Sequence, residues 1–173
     1  DMGQMDEIKP LYERSKEMVK RAPKDTKVIY YVGHISRLLG LWEQAMSFYQ
    51  QALDIADPDI PAFLFSMLSE IGEIQFHNRQ YDEAEKNYKR AIGFFEKAPD
   101  EAAYPNALTG LAKLYLKTGQ RKEAEACYNK AIAFLGKTSV DPRLPHILRQ
   151  LANLYRRWGK PLQAAQIEEQ LKQ

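Results

Sequence analysis

The sequence predicts an all-α protein, a solenoid of four helix-turn-helix repeats preceded by one N-terminal helix. Two observations lead to this prediction. Apolar residues recur at helical spacing along most of the 173 residues. One pattern also returns at separations of 39, 40 and 40 residues, marked by Ala45, Ala84, Ala124 and Ala164. Internal periods of this size are typical of stacked helix pairs.

The clearest copy of the pattern lies between Leu108 and Ala131. Its first helix carries apolar Leu111 beside a small residue, a glycine ends that helix, and its second helix carries Ala124 and Tyr128. The other copies align with it column by column. The small-residue column is Gly33, Gly72, Ala112 and Ala152, the turn column is Gly40, Arg79, Gly119 and Gly159, and the tyrosine column is Tyr49, Tyr88 and Tyr128.

This order of residues resembles the tetratricopeptide repeat (TPR), whose usual period is about 34 residues. The longer copies, with prolines near the start of the first helix (Pro61, Pro105, Pro145), are similar to repeats of the kinesin light chain and related bacterial TPR proteins. The resemblance covers about residues 26–173. It implies a right-handed TPR solenoid in which the first helix of each repeat lines a concave groove.

The chain is long enough for one domain over residues 1–173. Its parts are an N-terminal helical region at 1–25 and repeats at 26–59, 60–99, 100–140 and 141–173. Within the first part, Ile8, Tyr12 and Val19 share one face of a helix predicted over about 6–21, which Pro23 closes.

The helices of the first two repeats are predicted at 28–39, 42–56, 62–78 and 81–97, with Asp59 as an N-cap. The first helix of the third repeat should start between residues 100 and 105. The fourth repeat should open with Asp141 as N-cap and Pro142 as first helical residue, giving a helix over about 142–158. The last helix starts at Pro161, and Glu168 in its tyrosine column should face water at the end of the array.

Composition excludes several classes of function. The formal net charge of +2 gives no reason to expect nucleic-acid binding. The sequence contains no run of 18 apolar residues, so we expect no membrane span. The single cysteine, Cys127, cannot form an intrachain disulfide and is compatible with a reducing compartment, so the cytoplasm is favoured. A nucleic-acid site at Arg149, Arg156, Arg157 and Lys160 is a weaker alternative, because we expect aromatics not to be interleaved with these bases.

The sequence also lacks the patterns expected of an enzyme. The three histidines, His34, His77 and His146, lie in different repeats. The sequence has no closely spaced pair of histidines or cysteines, so it predicts no metal site. Cys127 precedes the packed Tyr128 and has no base at local spacing, which favours a small core residue over a nucleophile. We therefore expect no catalysis, no metal and no cofactor.

The resemblance implies that the groove is lined from the first helix of each repeat. Exposed Tyr30 and Phe76 would suit peptide capture. Glu70 and Glu73 would make one half of the groove acidic, with no base in register. Lysines and arginines of the last two repeats would make the other half basic, so that the groove prefers a peptide with an acidic segment. The predicted partner-binding residues are Tyr30, His34, Arg37, Glu73, Phe76, Lys113, Lys117, Arg149, Asn153 and Arg156.

The predicted function is that of a non-catalytic adaptor that binds a peptide or partner protein in this groove. The alternative is an oligomerisation or regulatory TPR module excised from a larger protein. The sequence does not decide the oligomeric state.

Overall fold

The computed structural model describes residues 2–57, 61–95, 104–136 and 141–171, and these are helical throughout except at turns, with no strand. The nine helices in these ranges are α1 (Met2–Arg21), α2 (Thr26–Leu38), α3 (Trp42–Ile55), α4 (Pro61–His77), α5 (Tyr81–Phe95), α6 (Tyr104–Lys117), α7 (Arg121–Leu135), α8 (Leu144–Arg157) and α9 (Pro161–Gln170). The all-α fold of paired helices is therefore confirmed. None of these helices is long and apolar enough to cross a membrane.

The chain divides into two compact units, Asp1–Ala98 with α1 to α5 and Pro99–Gln173 with α6 to α9. In each unit the paired helices make the most extensive contacts, α2 with α3 and α4 with α5 in the first, α6 with α7 and α8 with α9 in the second. The assignment of residues 1–173 to a single domain stays a prediction.

The core of the first unit follows the predicted columns. One buried cluster joins Tyr12 and Val19 of α1 to the pair α2–α3 and to Leu64 and Met67 of α4. A second cluster places Ala45 and Tyr49 beside Ile71 and Ile74. α1 therefore packs on the first repeat as the second helix of a preceding pair would.

The small and aromatic columns are buried in both units, as predicted. Ala45, Ala84 and Ala124 are fully buried, and Ala164 is 2% exposed. The three tyrosines of the second helices are at most 3% exposed. Cys127 is also buried and packs as the small core residue that the sequence favours.

All four turns between paired helices contain one residue with positive φ. The angles are 72° at Gly40, 82° at Gly119 and 68° at Gly159, and Arg79 adopts 63° in the position that glycine holds elsewhere. The residue after each of these donates its backbone N–H to a carbonyl five residues earlier, at 2.8–2.9 Å. This bond closes the end of the first helix and starts the second.

Several helix ends differ from the sequence-based expectation. α1 begins at Met2, ahead of residue 6. α2 begins at Thr26 instead of 28, because the Asp25 carboxylate accepts hydrogen bonds from the backbone N–H groups of Lys27 and Val28. The proposed N-cap Asp59 lies outside the described residues.

The start of α8 was also misplaced by the sequence pattern. The helix begins at Leu144 instead of Pro142. Asp141 accepts a 2.9 Å hydrogen bond from the backbone N–H of Arg143 and holds the Arg143 guanidinium, whose Nη2 lies 2.6 Å from Oδ2. The first proline of the segment therefore belongs to a turn, and Pro145 occupies the early helical position.

Candidate functional site

In the first unit, the predicted groove residues of α2 are engaged with carboxylates of α4. Nε of Arg37 lies 2.7 Å from Oε2 of Glu70, and Nη1 lies 3.5 Å from Oε2 of Glu73. Nδ1 of His34 lies 3.6 Å from Oε1 of Glu70. The expectation that Glu70 and Glu73 have no compensating base is therefore wrong. Arg37 supplies that base from the preceding repeat.

The Arg37–Glu70 pair is largely withdrawn from solvent, whereas Glu73 is 44% and His34 36% exposed. The side chains of Arg37 and Glu70 are 20% and 17% exposed. Burial opposes the charge on Arg37, but the two glutamates outweigh it and raise the pKa of the guanidinium. Burial, reinforced by Glu70, raises the pKa of Tyr30 to about 12 and also raises that of Tyr49. Both phenols therefore stay neutral and bury no additional charge beside Glu70.

The two aromatics proposed for peptide capture are less accessible than expected. Tyr30 is half-buried, stacks on His34 with 6.4 Å between ring centroids, and lies 5.7 Å from the ring of Tyr49. Phe76 is also half-buried and contacts the rings of His77 and Tyr81. Much of the surface of both rings is therefore covered by contacts within the first unit.

In the second unit, the predicted residues of α6 and α8 remain on the surface. These are Lys113 and Lys117 of α6 and Arg149, Asn153 and Arg156 of α8. Among the described residues, Lys113, Lys117 and Arg149 have no acidic partner. The convergence of the α6 and α8 cations into one patch stays a prediction.

Arg156 differs from the other cations because it has two partners in its own repeat. It donates to the Asn153 amide oxygen at 3.0 Å and forms an ion pair with Glu168 of α9. Glu168, expected to face water, is thus half-buried and paired, with its side chain 35% exposed. In the last repeat, the position that tyrosine holds elsewhere is thus a glutamate that pairs with the first helix of the same repeat.

The charges of the second unit are segregated between helices. The first helices α6 and α8 carry two lysines and three arginines and contain neither aspartate nor glutamate. The acidic residues of the described helices in this unit lie on α7 and α9. Helices α6 and α8 are therefore each basic, with no acid in their own sequence, and Arg156 is paired with Glu168 of α9.

Sequence reasoning named Lys160 as part of a basic end but missed the contact of Arg121 and Lys160 with Trp158, just after α8. The expectation that no aromatics are interleaved with the bases there is wrong, because Lys160 lies near the rings of both Tyr155 and Trp158. Cζ of Arg121 lies 5.8 Å and Nζ of Lys160 lies 5.6 Å from the centroid of the indole ring. Lys160 also lies 5.5 Å from the ring centroid of Tyr155, whose hydroxyl donates to Glu125 at 2.7 Å. Arg121 and Trp158 are distant in sequence, and only alignment of one turn with the next could have suggested their contact.

The titratable side chains of the described ranges do not assemble a metal site. No group of three or more histidine, cysteine, aspartate or glutamate residues there could hold a metal ion.

Comparison with known proteins identifies the repeats. Family profiles described as tetratricopeptide repeat match residues 63–137 and residues 32–59. No curated protein matches the chain significantly.

Solved structures match the chain over almost its whole length. BtubC (BKLC) from P. vanneervenii has a TM-score of 0.82 and 21% identity, covering 99% of this chain and 73% of that one. A Podosopora anserina putative kinesin light chain with nearly identical TPR-like repeats has a TM-score of 0.74 and 19% identity, covering 98% and 87%.

Aspartyl phosphate phosphatase F from Bacillus subtilis has a TM-score of 0.84 and 15% identity, covering 98% of this chain and 47% of that one. At these identities the likeness establishes the fold alone. Together with the matched profiles and the buried repeat columns, it shows that the chain belongs to the tetratricopeptide repeat family.

Proposed function

We propose that the chain is a non-catalytic protein-interaction module whose α6–α8 face binds an acidic segment of a partner protein or peptide. The observation that carries the proposal is the charge of these two helices, five cations with no acid among them. Tetratricopeptide repeats are typical of interaction scaffolds, and their first helices are the ones that the family resemblance assigns to partner binding.

The state of the individual cations supports the choice of this face. Lys113, Lys117 and Arg149 are exposed and have no acidic partner in the described part of the unit. Exposed cations of this kind steer an acidic partner and contribute little affinity each. The ligand should therefore be a segment with several carboxylates, and its binding should weaken with salt.

The first unit is a poorer candidate for the same ligand. Arg37, the cation at its α2–α4 face, is already within ion-pair distance of Glu70 and Glu73. A carboxylate ligand would meet both glutamates there. We assign the predicted residues of this face, His34, Arg37 and Glu73, to the packing of α2 against α4.

The experiment measures binding of a fluorescein-labelled peptide of consecutive glutamates by fluorescence anisotropy at two salt concentrations. The variant Lys113→Glu/Arg149→Glu should weaken binding about tenfold at low salt and flatten the salt dependence. The matched control, Lys24→Glu/Lys130→Glu, changes the net charge equally at exposed positions outside α6 and α8. Equal losses in the two variants would show that only net charge matters and would contradict the assignment of this face.

A further inference from the structure

The turns of the second unit carry several cations, and two of them, Arg121 and Lys160, contact one indole ring. We call this group the turn-end cluster, and its residues are Lys117, Arg121, Lys122, Arg157, Trp158 and Lys160. Arg121 is the first residue of α7, and Trp158 directly follows α8. The contact between their side chains brings the α6–α7 turn beside the α8–α9 turn, so both turns contribute charge to one place.

Most of these cations have no acidic partner. Lys160 lies 3.5 Å from Oε2 of Glu125. Lys117, Arg121, Lys122 and Arg157 are exposed and make no ion pair with any described residue. The nearest acid in the sequence is the exposed Glu123 in the first turn of α7. The five cations of the cluster therefore outnumber the two nearby acids, Glu123 and Glu125.

Trp158 contacts two of the cations. Arg121 and Lys160 both lie within cation–π distance of its ring, which is itself packed edge-on against Tyr155 at 6.1 Å. A guanidinium held against an aromatic ring keeps its in-plane N–H groups for a bidentate acceptor. Because these side chains are positioned before a ligand arrives, less conformational entropy is lost on binding.

We propose that the turn-end cluster binds a phosphorylated serine or threonine within the acidic segment of the partner, an inference that rests on the proposed function above. A phosphoryl group carries a charge of about −1.5 to −2 and three strong acceptor oxygens. Arg121 and Lys122 at the start of α7 and Arg157 at the end of α8 carry more donors than one carboxylate can use. The positive end of the α7 helix dipole lies at the same place.

Single-stranded nucleic acid fits the cluster less well. Such ligands need aromatic side chains on which successive bases stack. Trp158 is the one aromatic residue of the cluster, and its ring is already occupied by Arg121, Lys160 and the edge of Tyr155.

The test compares three labelled peptides that differ only at one central residue, phosphoserine, glutamate or serine, within the same glutamate-rich sequence. The wild-type chain should bind the phosphoserine peptide about tenfold more tightly than the glutamate peptide. Arg121→Gln should abolish that preference, and Trp158→Leu should reduce it without changing the net charge. The control Lys130→Gln, at an exposed position on α7, should keep it.

The outcomes separate this inference from the proposed function. Equal binding of the phosphoserine and glutamate peptides, or a preference that survives Arg121→Gln, overturns the inference and leaves the acidic-segment proposal standing. Failure to bind any of the three peptides contradicts both. Tighter binding of oligothymidine than of the phosphoserine peptide would assign the cluster to nucleic acid and overturn the inference.

Discussion

The ring of Tyr49 lies against Gly33 so closely that a Cβ added to the glycine would come within 2.9 Å of Cδ1 and Cε1. The equivalent pair in the next repeat is looser, since a Cβ on Gly72 would lie 3.2 Å from the ring of Tyr88. Alanine holds this column in the last two repeats, at Ala112 and Ala152. The first two repeats thus bring their helices together over a glycine, and the tolerance for a methyl group differs between them.

Gly33→Ala should lower the free energy of unfolding by about 1 kcal/mol. Overpacking against Tyr49 costs roughly 1–3 kcal/mol, and the better helix propensity of alanine returns about 1 kcal/mol. Gly72→Ala is the matched comparison and should lie within about 0.5 kcal/mol of wild type, because the Tyr88 ring has to move less. Urea unfolding measures both variants. A greater loss in Gly72→Ala than in Gly33→Ala would contradict the packing argument.

Arg79→Gly should stabilise the protein by about 0.5–1 kcal/mol. The left-handed conformation at φ 63° costs a residue with a side chain roughly 1–2 kcal/mol. Glycine removes this strain but gains freedom in the unfolded chain worth about 0.5–1 kcal/mol.

The reverse change provides the control for Arg79→Gly. Gly119 has φ 82°, and nothing lies within 4 Å of an added Cβ, so Gly119→Ala introduces strain without a clash. It should lower the free energy of unfolding by about 1 kcal/mol. Unchanged urea midpoints in both variants would show that these turns tolerate any residue.

Asp141→Asn should destabilise the protein in a pH-dependent way. Hydrogen bonds from the Arg143 side chain and backbone lower the pKa of the Asp141 carboxyl from 3.8 to about 2. Because the folded-state value is depressed, the ionised carboxylate adds stability above pH 4, and this contribution is lost as the pH falls from about 4 to about 2. The difference in urea midpoint between variant and wild type should therefore shrink over that interval. A difference independent of pH would mean that the charge of Asp141 contributes nothing.

Glu168→Gln should strengthen binding of the polyglutamate peptide at low salt. Glu168 pairs with Arg156 in the free protein and competes there with a carboxylate ligand. Removing its charge leaves Arg156 available to the ligand. The lost ion pair contributes about 1 kcal/mol or less, as surface pairs generally do. Glu169→Gln removes the same charge from a neighbouring exposed position and is the control. An equal gain in both variants would reduce the effect to net charge.

The parts of the fold that the sequence predicted are those set by side-chain size. Ala45, Ala84 and Ala124 are buried because two helix backbones approach there, and that requirement repeats at every pair. Glycine recurs in the turns because positive φ favours it. These demands are local and periodic, so an alignment of the chain with itself exposes them.

The contacts between charged side chains were not accessible in the same way. The pairing of Arg37 with Glu70 and Glu73 depends on how α2 and α4 are placed side by side, which helical periodicity within each segment does not determine. The approach of Arg121 to Trp158 depends likewise on two neighbouring turns. The cap at Asp25 was a local signal that the apolar pattern, starting later, concealed.

The recurrent bond across the four turns has a kinetic consequence. Each bond joins residues only five apart in the sequence. In the first turn the Leu41 N–H donates to the Ser36 carbonyl, and in the last turn the Lys160 N–H donates to the Tyr155 carbonyl. Closing so short a loop costs little chain entropy, and helical proteins rich in such local contacts fold in about microseconds to milliseconds. Each turn can therefore close early, before the helix pairs stack on one another and bury their apolar faces.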